Sequence, residues 1–449
     1  MFRCQFSVTN AVFLILAVAG ISHWSLETGR TGDKNKLEAP ARALVDLLAK
    51  EDYAAAGKNF DAAMKKALPP EKLKEVWQGL LESTGPFKKQ GKVRMERVKK
   101  YDVVFVTIHF ARADLDARIV FDSDGKIAGL FFSSSKSDVP YNAPDYVKKN
   151  KFSEIELKID SPAGKLPASL SLPKGEGPFP ALILVHGSGP HDRDESIGPN
   201  KPFRDLAWGL ASKNIAVLRY EKRTKAFPVK DLDTFTVQEE VIDDAVAAVA
   251  LLRKQDKIAT DKIFVLGHSL GGTLAPRIGK QSPHVAGLIL LAGASRPLED
   301  LILEQVAYII SLDDRPSEKK KTELEKLKKK VAKVRDPDLS PKTPKEELPL
   351  GVAASYWLSL RGNPPAEARK FKGPILVLQG ERDYQVTRDD FRGWKNALDK
   401  RRDVTFKSYP DLNHLFMAGK GKSRPEEYQK AGHVAAEVID DIAAWIKKQ

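Results

Sequence analysis

Apolar residues recur at helical spacing through residues 37–82, as in ALVDLLAKEDYAAAG and PPEKLKEVWQGLLE. The pattern predicts three helices there, with Pro69 and Pro70 suited to open one of them. From 92 to 133 the period falls to two, which predicts antiparallel strands, and SDGK at 123–126 reads as the turn of a hairpin between ARIVFD and IAGLFF. Helices followed by such a sheet make a small α+β domain over residues 37–135. The polar, proline-containing stretch 136–150 follows as a linker.

The pattern then changes character. SEIELKID and KLPASLSLP suggest an opening pair of strands, and PALILVHG, IAVLRY, KIFVLGHS, AGLILLAG, PILVLQG and VTFKSYP each offer a short apolar run. Helical segments fall between most of them, among them PFRDLAWGLASK, VQEEVIDDAVAAVALLRKQ and a terminal EEYQKAGHVAAEVIDDIAAWIKK. Strands that are apolar throughout belong to a mostly parallel sheet covered on both faces. The expected fold of residues 151–449 is therefore an open α/β sheet of about eight strands. Roughly 80 residues separate AGLILLAG from PILVLQG, far more than one crossover needs, so a helical cap is expected at about 295–365.

Composition sharpens this picture in three places. A chain of 449 residues with 42% hydrophobic content can build two cores. The apolar run 11–21 behind Arg3 marks residues 1–29 as a signal peptide or an uncleaved signal anchor, so the protein is expected to be exported to the periplasm, envelope or exterior, with a membrane tether if the segment is retained. The only cysteine, Cys4, lies inside that leader, which leaves the exported part without an internal disulfide. The net charge of +14 does not single out a nucleic-acid partner: the lysines are scattered, and where they peak, at 318–335, glutamates interleave with them as on a solvated helix.

Candidate chemistry centres on GHSLG, residues 267–271. The motif follows the strand KIFVL and opens the helix LGGTLAPRIGK, a strand-turn-helix setting that would expose Ser269 at the C-terminal sheet edge. Gly267 and Gly271 fit a turn in which strand and helix backbones touch. A serine hydroxyl needs a base, and the base an orienting acid. Of eight histidines, His414 in YPDLNHLF lies after the final strand on the correct edge, whereas His268 adjoins the serine and is expected to point away from it. His433 is expected inside the last helix and His284 in a loop, both as packing residues. Asp383 follows the strand ILVLQG, with Glu381, Glu299 and Asp300 as competitors and Asp411 as a turn residue. The loop VHGSGP supplies candidate oxyanion donors at the amides of Ser188 or Gly189, beside that of Leu270. No metal or organic cofactor is required. HDRDE (191–195) reads as polar loop packing or a substrate contact rather than a metal cluster, and LRYEKRT (218–224) as loop-holding ion pairs or a polar substrate contact.

Together HGSGPHDRDESIGPNKPFRDLAWGLASKNIAVLRYEKRT, GHSLGG, QGERDYQVT and NHLF resemble bacterial α/β-hydrolases of the serine-hydrolase superfamily, of the carboxylesterase or serine aminopeptidase (S33-like) kind, over about residues 150–449. Residues 37–135 resemble the DUF3887 domain found ahead of such hydrolases. The resemblance implies Ser269 as nucleophile, Asp383 as acid and His414 as base, acting on a small-molecule ester or acyl substrate. A peptidase and a thioesterase are the alternatives within the class, and a non-catalytic binding protein on a hydrolase fold is the alternative outside it. Dimerisation or substrate capture is the expected part of the first domain.

Overall fold

The computed structural model describes residues 34–98, 101–111, 113–135, 140–227, 229 and 231–449. The expected leader, residues 1–29, lies outside these, as do residues 136–139 of the expected linker. The chain forms two compact units that part between Pro140 and Tyr141.

The first unit opens with α1 (Lys34–Ala49), α2 (Tyr53–Ala56), α3 (Ala62–Ala67) and α4 (Pro70–Thr84). Four helices stand where three are predicted, because Asp52 and Asp61 cap separate short ones: their carboxylates accept the N–H groups of Ala55 and Met64. Pro70 occupies the first turn of α4, where its missing N–H costs nothing. The sheet is a meander of β1 (Phe87–Val98), β2 (Tyr101–Phe110), β3 (Asp114–Phe121) and β4 (Ile127–Ser134), paired in that order and antiparallel throughout. Asp122 closes the expected β3–β4 turn by accepting from the N–H groups of Asp124 and Lys126. One sheet face buries Val104, Val106 and Ile108 under the helices, with Trp77 of α4 against Phe87, Phe110 and Phe132.

The second unit holds an eight-stranded sheet. Its strands are β5 (Phe152–Ser161), β6 (Gly164–Pro173), β7 (Phe179–Val185), β8 (Ala216–Tyr220), β9 (Ile258–His268), β10 (Gly287–Leu291), β11 (Ile375–Gly380) and β12 (Val404–Tyr409). The spatial order is β12-β11-β10-β9-β7-β8-β6-β5; β5, β6 and β8 pair antiparallel and all other neighbours parallel. Successive side chains on a strand point to opposite faces, so the continuously apolar runs feed two cores. Ile183, Val265 and Leu290 go to one, under α7 (Asp243–Leu252) and α8 (Leu270–Gln281). Leu184, Leu266 and Ile289 go to the other, under α5 (Pro202–Ala211) and α14 (Ala436–Lys448). The short α6 (Arg223–Ala226) follows β8, and α13 (Arg388–Leu398) joins β11 to β12. Between β10 and β11 stands the expected cap: α9 (Leu298–Ser311), α10 (Glu318–Arg335), α11 (Ala354–Leu360) and α12 (Pro364–Lys370). The lysine-rich α10 pairs Lys321 with Glu318, Lys326 with Glu323 and Lys328 with Glu325 on its outer surface, and buries only Leu327, Val331 and Val334.

Two further expectations change. The final helix starts at Ala436, ten residues later than its apolar spacing suggests, so His433 lies ahead of it, with Nδ1 3.1 Å from Asp205. Residues 141–150, expected within the linker, are seated on the second unit: the Tyr141 hydroxyl donates to Asp205, the Tyr146 hydroxyl to the Val434 carbonyl, and the Lys148 N–H to Ser212 Oγ. Their aromatic rings supply the reason, since Tyr141 stacks edge-on against Trp208 and gains apolar burial that a tether would forgo. Among the described residues no helix is long and apolar enough to cross a membrane.

Candidate active site

Ser269 sits between the last residue of β9 and the first of α8, at φ +52° and ψ −116°. A non-glycine residue there carries strain of about 1–3 kcal/mol, and the surrounding packing holds it in place. The Ser269 N–H donates to the Leu291 carbonyl of the neighbouring strand at 2.9 Å. The turn closes so tightly that a Cβ on Gly267 would lie 2.1 Å from the Gly271 carbonyl oxygen, and one on Gly271 2.3 Å from that of Val185. Those neighbours are backbone and cannot swing aside. Gly271→Ala is therefore expected to destabilise the second unit by about 3 kcal/mol or more, read as a lowered Tm and a poor soluble yield.

Two loops at the same C-terminal edge deliver the other expected residues. After β11, the Asp383 carboxylate is fixed from two sides: Oδ1 accepts the N–H groups of Gln385 and Val386 at 2.7 and 3.1 Å, while Oδ2 accepts Gln379 Nε2 at 3.2 Å. After β12, His414 Nδ1 lies 2.6 Å from that same Oδ2, and both residues are buried. Asn413 Oδ1 shapes the histidine loop by accepting from the N–H groups of Leu415 and Met417. The competing acids stand elsewhere: Glu381 meets Ser408 and Arg388, and Asp300 meets Arg335.

Ser269, His414, Ser188 and Leu270 line one cavity of about 200 Å³. The glycine-rich loop comes within reach of the serine, since a Cβ on Gly187 would lie 3.1 Å from Ser269 Cβ. Leu270 is the first residue of α8, so its N–H has no acceptor inside the helix. Gly189, the alternative donor to Ser188, is not part of the cavity wall and turns at φ +99°. Leu298, Leu301, Ile302, Trp357 and Leu360 of the cap make the wall largely apolar. Glu299, weighed from sequence as a rival acid, is instead part of this wall, and burial beside Asp300 raises its carboxyl above the usual range.

Sequence reasoning missed one residue pair. Glu195, the last residue of HDRDE, is 1% exposed; its Oε1 accepts the Gly187 N–H at 2.6 Å and its Oε2 lies 2.8 Å from His268 Nδ1. His268 Nε2 in turn lies 3.0 Å from the His414 carbonyl oxygen, with the two rings 4.7 Å apart. Both nitrogens of His268 thus lie within 3.0 Å of an oxygen atom. Burial opposes the charge on each partner, but the pair overcomes it, holding Glu195 down to about 2 and raising His268 above its ordinary value. The carboxylate ties the glycine-rich loop to the histidine loop through His268. The signal in the sequence was the acid following VHGSG, but its partner is 73 residues away.

The rest of HDRDE holds loops, and His191 also lines the cavity. His191 Nε2 donates to the Ser188 carbonyl, Arg193 bridges Glu156 and Glu221, and Asp194 pairs with Arg219 and Arg204. Among the described residues no group of three His, Cys, Asp or Glu side chains is placed to hold a metal ion. The charges of LRYEKRT are also engaged internally: Arg219 meets Glu154, Lys222 meets Glu240 and Arg223 meets Asp244, and none of them lines the cavity.

Comparison with known proteins matches residues 178–420 to the family model described as serine aminopeptidase, S33, and residues 41–130 to DUF3887, a protein family of unknown function. A curated relative, esterase EstD of Thermotoga maritima, is 39% identical over 406 residues, covering 90% of this chain and 94% of its own. The chain belongs to the S33 family of α/β-hydrolases. Solved structures similar to this hydrolase include Est1E from Butyrivibrio proteoclasticus, at 17% identity and a TM-score of 0.43 over 66% of this chain and 99% of that one. An esterase of Pyrococcus furiosus matches at 14% identity and a TM-score of 0.43, over 70% and 99% of the two chains. The S33 hydrolase model spans the glycine-rich loop, the strand-to-helix turn and both loops that deliver Asp383 and His414.

Proposed function

We propose that the protein is a serine hydrolase that cleaves carboxylic esters through an acyl-enzyme on Ser269. The observation that carries this reading is the 2.6 Å Asp383–His414 contact at the edge of the cavity lined by the strained Ser269. His414 Nε2 takes the proton of Ser269 Oγ as that oxygen attacks the ester carbonyl, and Asp383 keeps the Nδ1 proton facing it. The tetrahedral oxyanion is held by the N–H groups of Leu270 and Ser188. Collapse expels the alcohol, which receives the proton from His414; a water then attacks the acyl carbonyl by the same route and releases the acid. Every proton has a carrier among these residues, so the cycle needs no cofactor.

An ester is favoured as substrate because the cavity wall is mostly apolar and the Thermotoga maritima relative is named an esterase. A second reading has one observation behind it: the Glu299 carboxyl in the wall offers a site for a free amine, as an aminoacyl amide would require. The two readings separate on a panel of p-nitrophenyl esters of graded chain length set against aminoacyl amides. For an esterase, kcat/KM should rise roughly fourfold per added methylene, the equivalent of about 0.8 kcal/mol, until the cavity is filled, and then fall. Faster turnover of aminoacyl amides than of any ester, lost in Glu299→Gln, would decide for the second reading. The leader pattern of residues 1–29 supports action outside the cytoplasm.

A further inference from the structure

The loop that supplies the Ser188 N–H is gripped from behind by a buried ammonium group. Lys222, just beyond β8, is 2% exposed and donates through Nζ to the Gly187 carbonyl at 2.7 Å. That carbonyl and the Ser188 N–H belong to one peptide unit. The only cis peptide among the described residues is Gly177–Pro178, so the Gly187–Ser188 unit is trans and its C=O and N–H point in opposite directions. Ser188 lines the cavity and Lys222 does not. A cation held at the carbonyl therefore fixes the direction of the Ser188 N–H, away from Lys222, and by polarising the peptide makes that N–H a stronger donor.

A lone buried ammonium costs several kcal/mol, so its pairing matters. Glu240, 6% exposed in the single π turn Gln238–Ile242 ahead of α7, meets Lys222 Nζ at 2.5 Å. The other Glu240 oxygen accepts the hydroxyl of Tyr356 at 2.6 Å, and Tyr356 belongs to α11 of the cap, next to the cavity residue Trp357. One polar chain thus runs from the cap through Glu240 and Lys222 to the Gly187–Ser188 peptide. The Gly187 N–H is held by Glu195, so both the N–H and the carbonyl of this residue are fixed by ions.

We propose that Lys222 is a positioning residue for transition-state stabilisation: resting on the serine-hydrolase reading above, it orients and polarises the Ser188 N–H that receives the oxyanion. It touches neither substrate nor reacting atoms. Its action should appear in kcat and in the binding of tetrahedral analogues, not in ground-state affinity.

The test uses the full chain with Lys222→Met and Glu240→Gln combined, so that no uncompensated charge is left buried, alongside Lys222→Gln in the same Glu240→Gln background, which keeps a neutral donor near the carbonyl. Ser269 labelling by a fluorophosphonate at matched Tm counts folded, competent sites. The Lys222→Met double variant is expected to lose about 10- to 100-fold in kcat per labelled site, short of the 10²- to 10³-fold seen when an oxyanion donor is removed outright. Its KM should stay within about threefold, and its affinity for a trifluoromethyl ketone should fall in parallel with kcat/KM. Lys222→Gln should fall between it and the parent. An unchanged kcat in either folded variant, or a loss carried by KM with analogue binding intact, would overturn the proposal. Failure of the parent protein to label at Ser269 would instead overturn the serine-hydrolase reading on which it rests.

Discussion

Ser269→Ala is expected to lower kcat by about 10⁴- to 10⁶-fold with KM nearly unchanged. The reasoning is local. Ser269 is the residue held at φ +52° where β9 turns into α8, and its neighbours are fixed by contacts that do not involve its hydroxyl: its N–H bonds to Leu291, its carbonyl to Thr273, and the flanking glycines set the chain path. Alanine removes the proposed nucleophile and leaves the cavity wall and the N–H groups of Leu270 and Ser188 in place. Residual hydrolysis would come from those donors and from binding alone. The check is steady-state kinetics on the best ester of the chain-length series, with an unchanged Tm as evidence that the turn survives.

Asp383→Asn is expected to cost about 10⁴-fold in kcat. The surrounding hydrogen bonds dictate how the new amide must sit. Two backbone N–H groups, of Gln385 and Val386, point at Oδ1, so the asparagine oxygen stays there and its NH₂ takes the place of Oδ2. That NH₂ faces His414 Nδ1, which must then accept, and the imidazole proton moves to Nε2. A histidine protonated at Nε2 cannot take the serine proton. The NH₂ also meets Gln379 Nε2, which loses one acceptor but keeps the Gly380 and Val386 carbonyls, so only a small loss of stability should accompany the loss of rate. A variant that kept activity within tenfold would show that Asp383 does not set the tautomer.

Much of this site was legible in the chain because it is built from turns at the ends of apolar strands. GHSLG, GERD and NHLF each follow such a strand, and a parallel sheet sends every such end to the same edge. The two glycines of the serine turn were readable for the same reason, since a Cβ at either position would lie 2.1 or 2.3 Å from a backbone oxygen. What could not be read were the partners of charged loop residues. Lys222 in LRYEKRT left open a choice between a loop-holding pair and a substrate contact, and only the fold brings Glu240 and the Gly187 carbonyl to it. Glu195 and His268 are similarly hidden: a buried ion pair leaves no periodicity, only two polar residues beside glycines. The start of the last helix is hidden in the sequence because GHVAAE continues its apolar spacing, whereas the chain there bends to meet Asp205 through His433 and the Val434 N–H.

The most direct measurement is mapping of the residue modified by a fluorophosphonate. The intact protein should gain one adduct, and peptide mass spectrometry should place it on Ser269 within the segment IFVLGHSLGGTLAPR, with no adduct on Ser269→Ala. Stoichiometric labelling of that variant, or an adduct on any other residue of the parent protein, would contradict the assignment of Ser269 as the nucleophile.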